Sequence, residues 1–340
     1  MLQSSKLFLN KKIIKEVKEE LLENAKFDEE VSKVLNKFSC LSNFSKEKQV
    51  YWFKRALFLL LTARNRQLIT LTEQEKLKDT VVAFFGLSVG SHAALTWMML
   101  SRADKIKISD PDIISPTNLN RLRFGWNTIG KLKADIVKKR LREINPYCEV
   151  YKFTQVEERI VRKIILSEPK PQVVVDCMDD LKSKVLVRLL ARKRKIPVLM
   201  ATDVGDNVFL DIERYDKLPL PRLFNGRVED IEKIDLSKLS DPERIKLSMQ
   251  IVGFEHNSER MLKSLLSIGK TIKTWPQLGS TATIAGGLIT TLVKKMVLRE
   301  RVKSGRYYFS IDKLLVYDYD SKKRKKKKEQ LSDEIAKKIF

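Results

Sequence analysis

The chain has 340 residues, 43% of them hydrophobic, which excludes wholesale disorder and allows one large domain or two smaller ones. Only 12 glycines and 10 prolines occur, so collagen-like and low-complexity readings fail, and the longest apolar stretches, Ala56–Leu61 and Ala93–Leu100, fall far short of the ~20 residues a membrane-spanning helix needs. The formal charge of +24 attracts polyanions, although a lysine excess also arises from the base composition of a genome.

The first residues, MLQSSKLFLNKK, lack an apolar stretch followed by a small-residue cleavage site, so no signal peptide is expected. Three scattered cysteines, Cys40, Cys148 and Cys177, make no disulfide framework, which points to a reducing, cytoplasmic compartment and no membrane association. Residues 1–63 read as a helical extension, with Lys11–Asn24 and Val50–Leu61 as helices. This extension either caps the domain that follows or clamps a substrate.

The pattern changes at Lys78. Thr80–Phe85 reads as a buried strand, Gly86–Ser91 as a turn, His92–Arg102 as an apolar helix and Lys105–Ser109 as a strand closed by Asp110. The alternation continues with a helix over Lys131–Ile144, a strand over Glu149–Phe153 and a helix over Glu157–Ser167. A strand over Gln172–Cys177, a helix over Lys182–Lys195 and a strand over Pro197–Ala201 follow. Repeated strand–helix units predict an α/β fold with a doubly wound, mainly parallel sheet. Beyond it, Val208–Tyr215 reads as a strand and 216–258 as a charged insertion with loops or helix. Thr283–Arg301 reads as a helix approached through Gly286–Gly287, and Tyr307–Tyr319 as two short strands of a mixed C-terminal part. The block KKRKKKK at 322–328 predicts a disordered basic tail over 321–340.

The turn at Gly86–Ser91 offers Gly86, Ser88 and Gly90 at a helix N-terminus, where backbone N–H groups bind phosphate. Asp110, at the end of the next strand, is placed to hold ribose hydroxyls. A structural turn and a strand-end acid would read the same way.

The following stretch is more specific: Asp110-Pro-Asp112, then Ser115-Pro-Thr117-Asn118-Leu-Asn-Arg121, then Gly130-Lys131-Leu-Lys133, Asn145-Pro146 and Asp176-Cys177-Met178-Asp179-Asp180. Together with Arg64-Asn65-Arg66-Gln67, this ordered set resembles the ThiF/MoeB/HesA superfamily, the adenylating fold shared with ubiquitin-activating enzymes. The resemblance implies a Rossmann-like ATP-binding adenylation domain over 64–320. It implies ribose contact by Asp110, triphosphate contact by Asn118, Arg121 and Lys133, and Mg²⁺ binding by Asp179. It further implies a homodimer in which Arg66 reaches into the partner's site. The implied reaction is ATP-dependent activation of a carboxylate, most often the C-terminus of a ubiquitin-like sulfur carrier or a peptide. Relatives that dehydrate threonylcarbamoyladenosine on tRNA supply an alternative, favoured by the basic body, and a degenerate nucleotide-binding scaffold is a third. An NAD-dependent reductase would leave the Asn118, Arg121 and Lys133 set unexplained.

The chemistry agrees, because a carboxylate is ionised at neutral pH and needs no general base; only His92 and His256 are available. The barrier is electrostatic, so Arg, Lys and a divalent ion are the residue types and partner required. Simpler roles compete: Arg121 and Arg123 as surface residues, Lys133 on a solvated helix face, Asp179 as a helix cap, His92 as a cap or packing residue, Cys177 as a core residue. Trp275–Ser280 either opens the last long helix or lines an acyl pocket. The glycine loop departs from the G-x-G-G-x-G of the superfamily, with Leu87, Ser88 and Val89 in it, which predicts a crowded approach to the nucleotide. Without C-x-x-C pairs no zinc is expected, and without a cysteine between 216 and 280 no thioester is expected.

Overall fold

The computed structural model describes residues 10–253 and 257–339. Helices α1 (Lys11–Asn24), α2 (Glu29–Ser39) and α3 (Lys46–Leu61) form the N-terminal extension. Each begins on a polar residue that accepts backbone N–H bonds, Asn10, Asp28 and Ser45. They enclose their own core around Leu21, Val34, Phe38, Phe53 and Leu59, and Leu71 and Tyr147 join it to the body.

The body follows as α4 (Leu71–Asp79), β1 (Val82–Phe85), α5 (Val89–Ser101), β2 (Lys105–Ser109), α6 (Lys133–Ile144) and β3 (Glu149–Phe153). Next come α7 (Glu158–Leu166), β4 (Val173–Asp176), α8 (Leu181–Lys193), β5 (Val198–Val204) and β6 (Asn207–Glu213). The sheet order is β3-β2-β1-β4-β5-β6-β7; the first five strands run parallel, β6 runs antiparallel beside β5, and β7 (Gly305–Ser310) pairs antiparallel with β6. This is the predicted doubly wound sheet, and its central strands β1 and β4 are almost wholly apolar because both of their faces are covered. Side-chain alternation divides them: Val82 and Phe84 face α5, α6 and α11 (Gly279–Val297), whereas Ala83 and Phe85 face α7 and α8.

Three expectations need correction. The tail is ordered: α13 (Lys322–Ile339) is a helix, because Leu331 and Ile335 give it an apolar stripe that packs on α10 (Glu259–Ser267). The second strand within Tyr307–Tyr319 is instead the short helix α12 (Ile311–Leu315), started when Ser310 accepts the Lys313 N–H. The long helix begins at Gly279, so Gly286 and Gly287 lie inside it; a Cβ on Gly286 would sit 2.6 Å from His92 Cβ, so glycine lets α5 and α11 close on each other. Of the insertion at 216–258, residues 254–256 lie outside the described ones; 216–253 are turns followed by α9 (Asp241–Val252), packed on α8 through Leu223, Phe224, Val228 and Ile251.

Candidate active site

The parallel strands end at one edge of the sheet, and the chemistry-bearing residues gather there. After β1 the chain turns at Gly86 (φ +80°), where a Cβ would lie 2.3 Å from the Cys177 carbonyl oxygen, so glycine is required. Leu87 and Val89 turn their side chains into the core beneath α5. The expected crowding is thereby corrected: Ser88 alone of the three non-glycine residues is half-exposed toward the site. The N-terminus of α5 opens behind it, without a side-chain cap on its N–H groups.

Asp110 is 3% exposed and organises this turn. Its Oδ2 accepts the Leu87 N–H at 2.6 Å and its Oδ1 accepts the Asp112 N–H at 2.8 Å. Burial raises its carboxyl above the usual range against the pull of Lys133 and these two N–H groups. Lys133, on the first turn of α6, donates to Asp112 at 2.7 Å and lies 4.0 Å from Asp110. It is buried, so the solvated-face alternative is excluded.

Arg121 is held by its neighbours rather than by a carboxylate. Its Nε donates to Ser88 Oγ at 3.0 Å and its Nη1 to Asn120 Oδ1 at 3.0 Å. Burial works against its charge, while Asp203 and Asp179 favour it. Its loop is fixed from below: His92 Nε2 donates to the Arg121 carbonyl at 2.6 Å, and His92 Nδ1 lies 3.3 Å from Thr283 on α11. Burial, with the charge of Arg123, keeps this imidazole neutral more readily than a free histidine. Gly279 fits closely here too, since a Cβ would stand 2.7 Å from the Asn120 carbonyl oxygen, and Asn120 donates to the Gln277 carbonyl at 2.7 Å. The Trp275–Ser280 segment thus braces the Arg121 loop. Asn118 spends its side-chain oxygen on the Ser115 N–H, which leaves its amide nitrogen for a ligand.

Beyond β4, Asp180 rather than Asp179 caps α8, accepting the Ser183 N–H at 2.8 Å. Asp179 is exposed and free of that duty. Asp203, two residues beyond the strand read over Pro197–Ala201, belongs to none of the sequence motifs. It is 3% exposed at the end of β5, with Oδ1 accepting from Gln277 Nε2 at 3.0 Å and Oδ2 without a partner among the described residues. Burial raises its carboxyl above the usual range. Burial also pushes the Cys177 thiol up to about 12, which suits a core residue rather than a nucleophile.

Arg66 is not part of this cluster within one chain. Its Nε donates to Asp28 of the extension at 3.0 Å, and its two terminal nitrogens are buried without partners among the described residues. The adjacent Asn65 bonds the Leu100 carbonyl, at the far end of α5 from Ser88.

A cavity of about 470 Å³ is lined by Pro111, Gln155, Val156, Asp180, Ser183 and Leu186; Pro111 and Asp180 adjoin Asp110 and Asp179 in the chain, but no predicted site residue lines it. A larger cleft of about 970 Å³ lies at the opposite edge of the sheet, among Thr80, Val173, Pro197 and Arg299, away from every predicted site residue. Among the described residues no three or more His, Cys, Asp or Glu side chains cluster as a metal cage, and no helix is long and apolar enough to cross a membrane.

Fold and edge together define an α/β protein with a cationic, helix-capped site at its strand ends. The profile of the ThiF family matches residues 62–332, and the chain belongs to that family. Its fold is that of the ThiF-family adenylyltransferases. The chain is 32% identical over 244 residues to MT1398 of Mycobacterium tuberculosis, an uncharacterised protein, covering 72% of this chain and 33% of that one. It is 24% identical over 273 residues to tRNA threonylcarbamoyladenosine dehydratase 1 of Saccharomyces cerevisiae, covering 76% and 62%. It therefore spans less than two thirds of the length of either relative. Among solved structures it resembles E. coli MccB with ATP, with a TM-score of 0.52 at 19% identity, over 81% of this chain and 79% of that one.

Proposed function

We propose that the protein is an ATP-dependent adenylyltransferase that activates a carboxylate as its acyl-adenylate and releases pyrophosphate. The observation that carries this reading is the convergence of Ser88, Asp110, Arg121 and Lys133 on the uncapped N-terminus of α5. Asp110 keeps free lone pairs on both oxygens for ribose hydroxyls. Lys133 spends one of its three donors on Asp112, so two remain for phosphate oxygens. Arg121 presents a planar guanidinium to the same region.

In the reaction the acyl carboxylate attacks the α-phosphorus and the bond to pyrophosphate breaks. Both partners are anions, so Arg121, Lys133 and the α5 N-terminus lower the barrier by neutralising phosphoryl oxygens as charge moves to the leaving group. Mg²⁺ fits the donors present: it is commonly held by one or two carboxylates with substrate phosphates, and Asp179 is the exposed acid in reach, with Asp203 nearby. When bound it would supply further neutralisation of phosphate charge. Arg66 would act in a homodimer, freed from Asp28 to enter the partner's site.

The first substrate reading is the C-terminal carboxylate of a peptide or small carrier protein. A second, a carboxylate carried on a tRNA base, is supported by the similarity to the yeast dehydratase over 76% of the chain and by the +24 charge. The test is isotope exchange between pyrophosphate and ATP, with peptides ending in Gly-Gly in one arm and unfractionated tRNA in the other. Exchange in either arm is expected; no exchange in both contradicts the reading.

A further inference from the structure

We propose that the outer face of α13 is a docking surface for an RNA strand. The choice of RNA rests on the tRNA reading above; the surface itself rests on the geometry of the helix.

Seven consecutive cations, Lys322–Lys328, begin α13, and the helix is fixed to the body. Ile335 is 1% exposed, and Leu331 joins it against Met249, Leu262, Leu265 and Trp275. The apolar stripe is thus consumed, which removes the face that an amphipathic helix would lay into a lipid surface. Part of the charge is also consumed. Arg324 pairs with Asp318 at 2.8 Å, Lys325 with Asp320 at 3.6 Å and Lys327 with Glu259 at 2.8 Å, while Lys328 sits 5.0 Å from the Tyr319 ring centre.

Lys322, Lys323 and Lys326 remain. All three are exposed and none has an acidic partner among the described residues. Lys322 and Lys326 are one helical turn apart, with Lys323 beside them, so the three form one face. Like charges at this spacing lie about 6 Å apart and destabilise a helix. A polyphosphate strand turns that cost into attraction and releases counterions.

The apolar stripe on the opposite side of α13 leads toward the site. Trp275 packs in the same cluster as Leu331 and Ile335, and its Nε1 donates to the Asp203 carbonyl at 3.4 Å; two residues on, Gln277 holds the Asp203 carboxylate. RNA held on the lysine face would therefore be carried by a helix whose buried side is tied, through Trp275, to the segment that holds Asp203.

The test compares tRNA binding by the full-length protein, its Lys322→Gln/Lys323→Gln/Lys326→Gln variant and a charge-matched Lys11→Gln/Lys12→Gln/Lys18→Gln control on α1. Anisotropy of labelled unfractionated tRNA is followed across salt. The α13 variant is expected to lose at least about tenfold in affinity near ~100 mM salt and about 2 units of the log–log salt slope, with the control nearly unchanged. Equal losses in both variants would overturn the docking face and leave only net charge. No tRNA binding by the wild type at low salt, or tighter binding to phosphatidylserine vesicles than to tRNA, would overturn the RNA partner. Pyrophosphate exchange on the same samples is a separate readout, so a failed adenylation reading shows there and not in the binding curves.

Discussion

On the α7/α8 face of the sheet, Arg188 is fully buried between Asp176 at 2.6 Å and Glu213 at 2.8 Å, with the Phe224 ring 3.9 Å away and Lys184 completing the group. At the strand ends, among the described residues, the Arg121 guanidinium bonds Ser88, Asn120 and the Thr117 carbonyl and no carboxylate, and Asp203 keeps one oxygen without a partner. Both regions hold ions at low exposure. In the first, burial is outweighed by Lys184 and Arg188, which hold the Asp176 carboxyl below the usual range, while burial still raises Glu213 despite Arg188. In the second, burial wins at Asp110 and Asp203. Ions that complete one another hold the fold; those left incomplete are the ones to which the proposed function gives a ligand.

The largest effect expected is on the complete side. Arg188→Met leaves Asp176 and Glu213 buried without their shared cation and should cost about 3–5 kcal/mol in denaturant unfolding. A loss under about 1 kcal/mol would remove the distinction between the regions. On the incomplete side, Arg121→Ala should lower pyrophosphate exchange by roughly 10²–10³ with little change in unfolding midpoint, and Lys133→Ala should lower exchange as far at a smaller stability cost than Arg188→Met, since Asp110 loses a cation 4.0 Å away. The opposite ordering, folding lost and exchange kept, would make them structural.

Asp203→Asn sharpens the contrast. Neutralising an acid whose oxygen lacks a partner should raise stability by about 1 kcal/mol while slowing turnover. Destabilisation there would place Asp203 with the complete group. The smallest effect concerns Lys107, a buried lysine on β2 that donates to the Ile164 and Ser167 carbonyls and that burial brings down to about 8. A lysine lowered in the folded state makes the unfolded chain bind more protons between pH 8 and its ordinary value of 10.5. The stability of the wild type relative to Lys107→Met should therefore rise as pH increases through that window, and a flat difference would contradict the assignment.

Much of the sheet was legible because parallel strands buried on both faces read as short apolar runs, as TVVAFF and QVVVDC do, and Lys105–Ser109 and Glu149–Phe153 form strands with the predicted bounds. What was missed depends on distant partners. The lysine block reads as tail until Leu331 and Ile335 find α10. The altered glycine loop reads as crowded until Leu87 and Val89 find the core. Asp203 belongs to no motif, and the role of His92 under Arg121 rests on a contact 29 residues away in sequence. Asp179 and Asp180 are interchangeable in a string; only the cap on Ser183 tells them apart.

The most direct measurement is pyrophosphate–ATP exchange by Asp179→Ala beside the wild type, with the carboxylate that supports exchange. A fall of roughly 10²–10³ at unchanged folding stability is predicted, and full exchange by the variant would contradict an adenylation site built at this edge of the sheet.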